Sequence, residues 1–196
     1  MRGHGVLELY EVHETEQSIC LVTEYIHEDT LRNILTNMEA NFLLSRLSIQ
    51  IIMFHILEAL SILSMYGIIH RNIKPSSILI EDDKTVKLVN FGLVTCNSAP
   101  LTSLKPCGTP GYAAPEVFNC SKSGAFYNEK CDIFGVGCIF FEMLFGYPLF
   151  EELFSENLSF NKVAMADIKK SVSKAVSKID RQIDSESKSF YFLKVV

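Results

Sequence analysis

His70-Arg71-Asn72-Ile73-Lys74-Pro75-Ser76-Ser77 is the stretch on which the reading of this chain turns. It is polar and lies between apolar segments of two different kinds. Upstream, residues 45–66 carry Leu47, Ile51, Ile52, Phe54, Ile56, Leu57, Leu60 and Leu63, a pattern that predicts a helix apolar nearly all round. Gly67 is placed to end it. A helix apolar on every side is expected in the core of a larger fold. Downstream, residues 77–80 and 85–89 are short apolar runs separated by Glu81-Asp82-Asp83-Lys84, which predicts a hairpin. A second polar motif, Asn90-Phe91-Gly92, follows at the end of its second strand.

Further out, residues 7–12 and 18–25 read as a first hairpin around the polar turn 13–17. Asp29-Thr30 reads as the cap of a short helix over 31–38. Residues 93–112 are rich in Ser, Thr, Pro and Gly and predict a long loop, which contains Gly108-Thr109-Pro110-Gly111-Tyr112 and runs into Ala113-Ala114-Pro115-Glu116. Asp132-Ile133-Phe134-Gly135-Val136-Gly137 opens a second all-round apolar helix over 131–145, stopped by Gly146 and Pro148. Met165, Ile168, Val172, Val176, Ile179 and Ile183 then fall on one helical face, with Lys169, Lys170, Lys174 and Lys178 elsewhere. That stripe predicts a helix packed on the domain surface, with a partner-binding helix as the alternative.

At 196 residues, 48% hydrophobic and 21% charged, the chain has a globular composition and room for one sizeable core. The net charge of −5 gives no reason to expect nucleic acid. The sign is uneven: residues 161–196 hold eight Lys/Arg against four Asp/Glu, and residues 1–160 hold ten against nineteen. Cysteines 20, 96, 107, 120, 131 and 138 form no C-x-x-C pair, so buried free thiols in a reducing, cytoplasmic compartment are expected. Met1-Arg2-Gly3-His4 leads into no apolar region, and no signal peptide is expected. Residues 134–150 are the most membrane-like stretch. Glu142, Gly146 and Pro148 interrupt it short of a ~18–20-residue span, and a buried helix rather than a membrane is expected.

The four motifs, in this order and spacing, resemble those of the eukaryotic protein kinases of serine/threonine type. Residues 70–77 resemble the catalytic loop H-R-D-x-K-P-x-N. Asn90-Phe91-Gly92 resembles the metal-binding D-F-G, and residues 108–116 resemble the G-T-x-x-Y-x-A-P-E end of an activation segment. Residues 132–137 resemble the opening of the family's central helix. Residues 21–26 are similar to the fifth strand and interlobe hinge, with Thr23 in the gatekeeper place. Residues 185–196 are similar to the start of a closing helix of the C-terminal lobe. The resemblance implies an α+β, kinase-like fold. Residues 1–26 would be a remnant of the N-terminal lobe, and residues 27–196 a mainly helical C-terminal lobe truncated in its later helices. No glycine-rich loop, V-A-I-K lysine or paired helix glutamate precedes Leu7, so only two strands of the smaller lobe are expected. Leu9, Leu79 and Phe91 are then expected to be partly uncovered.

The departures bear on chemistry. The resemblance assigns the catalytic positions to Asn72 and Lys74, and a degenerate nucleotide site to Glu24, Ile26, Ser77, Leu79 and Asn90. An aspartate in the place of Asn72 would take the proton of the substrate hydroxyl; an amide cannot. Loss of such a base typically costs ~10²–10⁴ in rate. Asn90 and Ser77 stand where the family has an aspartate and an asparagine on magnesium, so no metal site is expected and no cofactor is required. His70, Phe91, Leu9 and Asp132 resemble packing residues. Arg71 resembles the receiver of an activation-loop phosphate on Thr95, Ser98, Thr102 or Ser103. The expected function is that of a pseudokinase, an interaction module without catalysis. It would bind a protein partner through the cleft face or the 165–183 helix. The alternatives are a fragment of an active kinase with atypical residues, using ATP and magnesium, and a truncated gene model whose full product is a pseudokinase.

Overall fold

The structure is a computed structural model that describes residues 5–26, 29–37, 44–81, 85–96, 105–123, 126–153 and 165–185. It is an α+β arrangement of three small antiparallel sheets set around helices. Strands β1 (Leu9–Glu14) and β2 (Ile19–Thr23) form the first hairpin, with Val12 opposite Leu21 and a register irregularity between Leu9 and Glu11. Thr15 closes its turn by accepting the Ser18 N–H at 3.0 Å. β3 (Asp29–Thr30) pairs with β5 (Ile78–Ile80), which pairs with β6 (Val86–Leu88), so the second expected hairpin is present. Val6 bridges to Leu88 and anchors the start of the described chain to that sheet.

Helix α1 (Leu31–Asn37) begins at Thr30, whose hydroxyl accepts the Asn33 N–H at 3.2 Å. This is the capping expected of a threonine there. Met38, the last residue of the expected helix, lies outside the described residues. Helix α2 (Arg46–Met65) starts at Ser45, which accepts the Ser48 N–H at 3.0 Å, and is followed by Gly67 at φ 66°. β4 (Ile68–Ile69) pairs with β7 (Thr95–Cys96). Helix α3 (Pro115–Ser123), which the sequence reading did not anticipate, follows the long loop. Helix α4 (Lys130–Phe145) ends at Gly146, which takes φ 76° and donates its N–H to Glu142. Helix α5 is Met165–Ser185.

The main core joins Ile52, Ile56 and Leu63 of α2 to Val136, Ile139 and Met143 of α4, over Ile78, Val86 and Leu88 of the sheet. Burial of each such side chain stabilises the fold by roughly 1.5–3 kcal/mol. A smaller cluster gathers Ile69, Ala114, Val117, Cys120, Tyr127 and Cys131, with Phe134 touching both clusters. The cysteines are all free, but only Cys120, Cys131 and Cys138 are buried as expected: Cys107 is half-buried, and Cys20 and Cys96 are exposed. Burial pushes the Cys138 thiol up to about 12.

Two expectations need correction. Helix α2 is apolar all round but not buried all round. Ile49, Ile52, Ile56, Ala59, Leu60 and Leu63 face the core, while Leu47, Phe54, Leu57 and Met65 stand exposed on the other side. The helix packs on α4, β6 and β4. By length and composition it is apolar enough to cross a membrane, and its inner face is packed in the protein core. Helix α5, in contact with α3, buries the small residues Ser171 and Ala175 most deeply, whereas Val176 of the apolar stripe is 52% exposed. The side chains of Met165, Ile168 and Ile183 lie outside the description. In the first hairpin Leu9 is exposed, and Leu79 and Phe91 are half-buried, as expected.

Candidate functional site

The loop over residues 70–77 is held from below by Asp132 of α4. The carboxylate accepts the His70 N–H at Oδ2 and the Arg71 N–H at Oδ1, both at 2.8 Å. Two backbone donors on one buried carboxylate fix the turn at Arg71, whose φ is 66°, a left-handed conformation costly for a non-glycine residue. Burial raises the Asp132 carboxyl to about 6, against the pull of those two N–H groups. Gly135 brings α4 close beneath the loop: a Cβ there would meet the Ile73 carbonyl at 2.9 Å. Gly108 does the same from the loop that precedes α3, at φ 103° and 2.7 Å from the Arg71 carbonyl.

His70 is fully buried and satisfied at both ring nitrogens. Nε2–H donates to the Val89 carbonyl at 3.0 Å, and Nδ1 accepts the Asn72 N–H at 3.3 Å. Burial holds its pKa down at about 4, so the ring is neutral. Phe91 meets it edge-on at 5.0 Å between centroids. His70, Phe91 and Asp132 are thus packing and positioning groups, as expected, whereas Leu9 stands out of the core.

Ile73 is buried against α4, and Asn72 and Lys74 on either side of it are half-buried. Asn72 Oδ1 accepts the Thr109 hydroxyl at 2.9 Å. Lys74, half-buried, has its pKa lowered by burial and by the charge of Arg32. Ser77 lies beneath the loop rather than in the cleft: it is fully buried and donates to the Asn72 carbonyl at 2.9 Å. Its hydroxyl therefore ties the loop together. Asn90 is exposed at φ 71°, a conformation asparagine tolerates better than most residues.

On the other wall, Glu24 is committed to structure. Its Oε1 accepts the Glu8 N–H at 2.7 Å and pairs with Lys87 at 3.0 Å, while its own N–H donates to Glu8. Ile26 and Leu79 are half-buried. Among the described residues no three His, Cys, Asp or Glu side chains stand together as a metal site. The donors present do not fit magnesium, which favours carboxylate and water oxygens: Asn90 is neutral and Ser77 faces inward.

The sequence reading missed a polar clasp behind the loop. Arg32 of α1 donates from Nη1 to Glu142 Oε1 at 2.7 Å and from Nη2 to the Tyr112 hydroxyl, which donates to Glu142 Oε2 at 2.6 Å. Burial opposes the guanidinium charge, but Tyr112 and Glu142 outweigh it and raise the Arg32 pKa; burial beside Glu142 raises that of Tyr112 well beyond its usual range. A glutamate in the middle of a buried apolar helix was the available signal, because such a charge needs a partner. Arg71 is likewise engaged, donating to the Leu93 carbonyl at 2.6 Å and to Tyr127 at 3.1 Å. Of the residues considered as its phosphate source, Ser98, Thr102 and Ser103 lie outside the described residues.

Comparison with known proteins gives a family. Residues 1–193 match the family model described as protein kinase domain. The chain is 33% identical over 161 residues to a probable serine/threonine-protein kinase 2 of Plasmodium falciparum, covering 78% of this chain and 30% of that one. It is 35% identical over 152 residues to the phosphorylase b kinase gamma catalytic chain, liver/testis isoform, of Homo sapiens, covering 76% of this chain and 36% of that one. To the serine/threonine-protein kinase cds1 of Schizosaccharomyces pombe it is 35% identical over 144 residues, 71% of this chain and 30% of the other. The aligned part spans about a third of the length of these relatives. The chain belongs to the protein kinase family, as a serine/threonine-kinase-like domain.

Proposed function

We propose that this domain is a pseudokinase: a kinase-shaped interaction module that does not transfer phosphate and requires no cofactor. The observation that carries this reading is the donor set of the catalytic loop. Asn72, in the place of the base, has an amide that accepts the Thr109 hydroxyl and has no basic lone pair to take a proton. Asn90 has no charge to offer a metal, and Ser77 is turned inward. Base assistance alone is worth ~10²–10⁴ in rate, and the metal ligands act on the same step, so their losses compound.

The interaction role draws support from the first hairpin, whose Leu9, Tyr10, Val12, Ile19 and Leu21 are exposed. Two strands alone are marginal in water, and an apolar surface of this kind is a common site of protein contact. The setting we propose for it is cytoplasmic. The alternative, an active kinase with atypical ligands, is favoured by the intact frame: Asp132, His70 and Gly135 hold the loop as firmly as any catalysis would require. Nucleotide titration separates the two. For the pseudokinase, magnesium adds nothing to ATP affinity; a tenfold or greater gain on adding magnesium supports the active kinase.

A further inference from the structure

The two edges of the first hairpin are unlike. β1 carries Glu11, His13 and Glu14 and a break in register between Leu9 and Glu11, features that ordinarily keep a sheet edge from pairing further. β2 reads Ile19-Cys20-Leu21-Val22-Thr23, with neither charge nor proline, and runs in unbroken register with β1 from Ile19 to Val22. Among the described residues β1 is its one strand neighbour. The Thr15 N–H donates to the Ser18 carbonyl, which makes these two a hydrogen-bonded pair. Bonded and non-bonded pairs alternate along an antiparallel ladder. Cys20 and Val22 therefore bond to β1, while Ile19 and Leu21 turn their N–H and C=O groups to the outer edge. Side chains alternate as well: Ile19 and Leu21 stand on one face of the hairpin, Cys20 and Val22 on the other, and all four are exposed. The strand is held at its far end, where the Glu24 N–H donates to the Glu8 carbonyl and the Glu24 carboxylate pairs with Lys87 of β6 at 3.0 Å.

A regular, uncharged edge on a two-stranded hairpin is a template for a further strand. We propose that a second copy of this chain supplies it: two β2 strands pair antiparallel across a two-fold axis at Leu21, joining the hairpins into one four-stranded sheet in the order β1-β2-β2-β1. The inference deepens the interaction reading above, on which it rests, by naming the partner. The segment is its own complement. With Leu21 opposite the partner's Leu21, Ile19 falls opposite the partner's Thr23 and Cys20 opposite the partner's Val22, so no charge is set against another. Leu21 then exchanges both backbone bonds with its counterpart, as its outward N–H and C=O groups require. Val12 lies across from Leu21 within each hairpin, so the pairing extends one apolar row over four strands on one face. Two strands alone are marginal in water, whereas three or more with an apolar face can be stable. Growth stops at two copies, because both outer edges are then β1, with its carboxylates and its break in register.

The test is sedimentation velocity of the purified chain over a range of concentrations, in reducing buffer. A reversible monomer–dimer equilibrium is expected, with nothing larger. Leu21→Lys sets two ammonium groups face to face at the axis and is expected to weaken the dimer tenfold or more; Leu21 is 61% exposed, so the fold of each copy tolerates the change. Val22→Cys reads the register. Mild oxidation of that variant is expected to join two chains through Cys20 of one and position 22 of the other, and adding Cys20→Ser should abolish the link. Four results overturn the proposal: a chain that stays monomeric, a dimer indifferent to Leu21→Lys, a cross-link that is absent or survives Cys20→Ser, and assembly that grows past two copies. A monomer would leave the edge to a strand of another protein. Phosphate transfer, measured on the same preparation, separates the failures: transfer by a dimer defeats the non-catalytic reading and leaves the interface standing, whereas a monomer without transfer defeats the interface alone.

Discussion

The hydroxyl of Thr109 stands 2.9 Å from Asn72 Oδ1, so the activation segment and the catalytic loop are joined by a hydrogen bond whose acceptor is an amide oxygen. Neutral bonds of this kind contribute about 1 kcal/mol net. Thr109→Val and Asn72→Ala should each cost about that much, and the double variant should cost clearly less than their sum. Urea denaturation of the four proteins gives the coupling. An additive result would mean that the two segments are held by Gly108 and Asp132 alone.

Arg32 and Glu142 predict a larger effect. Glu142 is almost fully buried, while the Arg32 side chain is 33% exposed. Removing the cation leaves a buried carboxylate with only the Tyr112 hydroxyl, and such losses cost about 3–5 kcal/mol. Because solvent reaches Arg32, Arg32→Met should fall at the lower end, about 3 kcal/mol. Arg32→Met combined with Glu142→Leu should recover at least half of it. Chemical denaturation midpoints report both.

His70 and the Asp132 carboxylate that accepts its N–H set opposite pH dependences. The histidine is held at about 4, below its ordinary 6.5, so its stabilising contribution is complete above pH 6.5 and is lost as pH falls towards 4. The aspartate is raised to about 6 from 3.8, so its burial penalty is complete above pH 6 and is relieved as pH falls through 3.8. Each is worth about 3 kcal/mol by linkage, and together they nearly cancel between pH 6.5 and 4. Asp132→Asn should unmask the histidine, giving a steeper loss of stability on acidification than wild type. His70→Phe should do the reverse. Equal slopes in all three proteins, from thermal melts across that range, would count against both assignments.

Gly135 is the point where α4 touches the catalytic loop. A methyl there would lie 2.9 Å from the Ile73 carbonyl and 3.0 Å from its Cβ, and both atoms belong to a segment fixed from two sides. Overpacking of this kind costs about 1–3 kcal/mol. Gly135→Ala should destabilise the domain within that range, whereas Gly137→Ala, with open space around it, should be neutral or slightly stabilising.

Local pattern made much of this readable in advance. Ser45 and Gly67 bracket α2, Gly146 ends α4, and the two hairpins announce themselves by alternating apolar runs and polar turns. The motifs place the catalytic loop, and the main functional inference rests on Asn72 and Asn90, both legible in the sequence. What stayed hidden depends on distance in sequence. Arg32, Tyr112 and Glu142 come from three elements and meet only when α1 docks beside α4. Ser77 has a ligand's residue number but a core position, which only packing could reveal. The outer face of α2 misled because hydrophobic periodicity reports which faces are apolar, not which are covered.

Phosphoryl transfer is measured by incorporation of labelled phosphate from ATP with magnesium, into the chain itself and into generic acceptor proteins. For a pseudokinase, no incorporation above the no-enzyme background is expected, and no difference between wild type and Lys74→Ala. Magnesium-dependent incorporation by the wild-type chain that disappears in Lys74→Ala would contradict it.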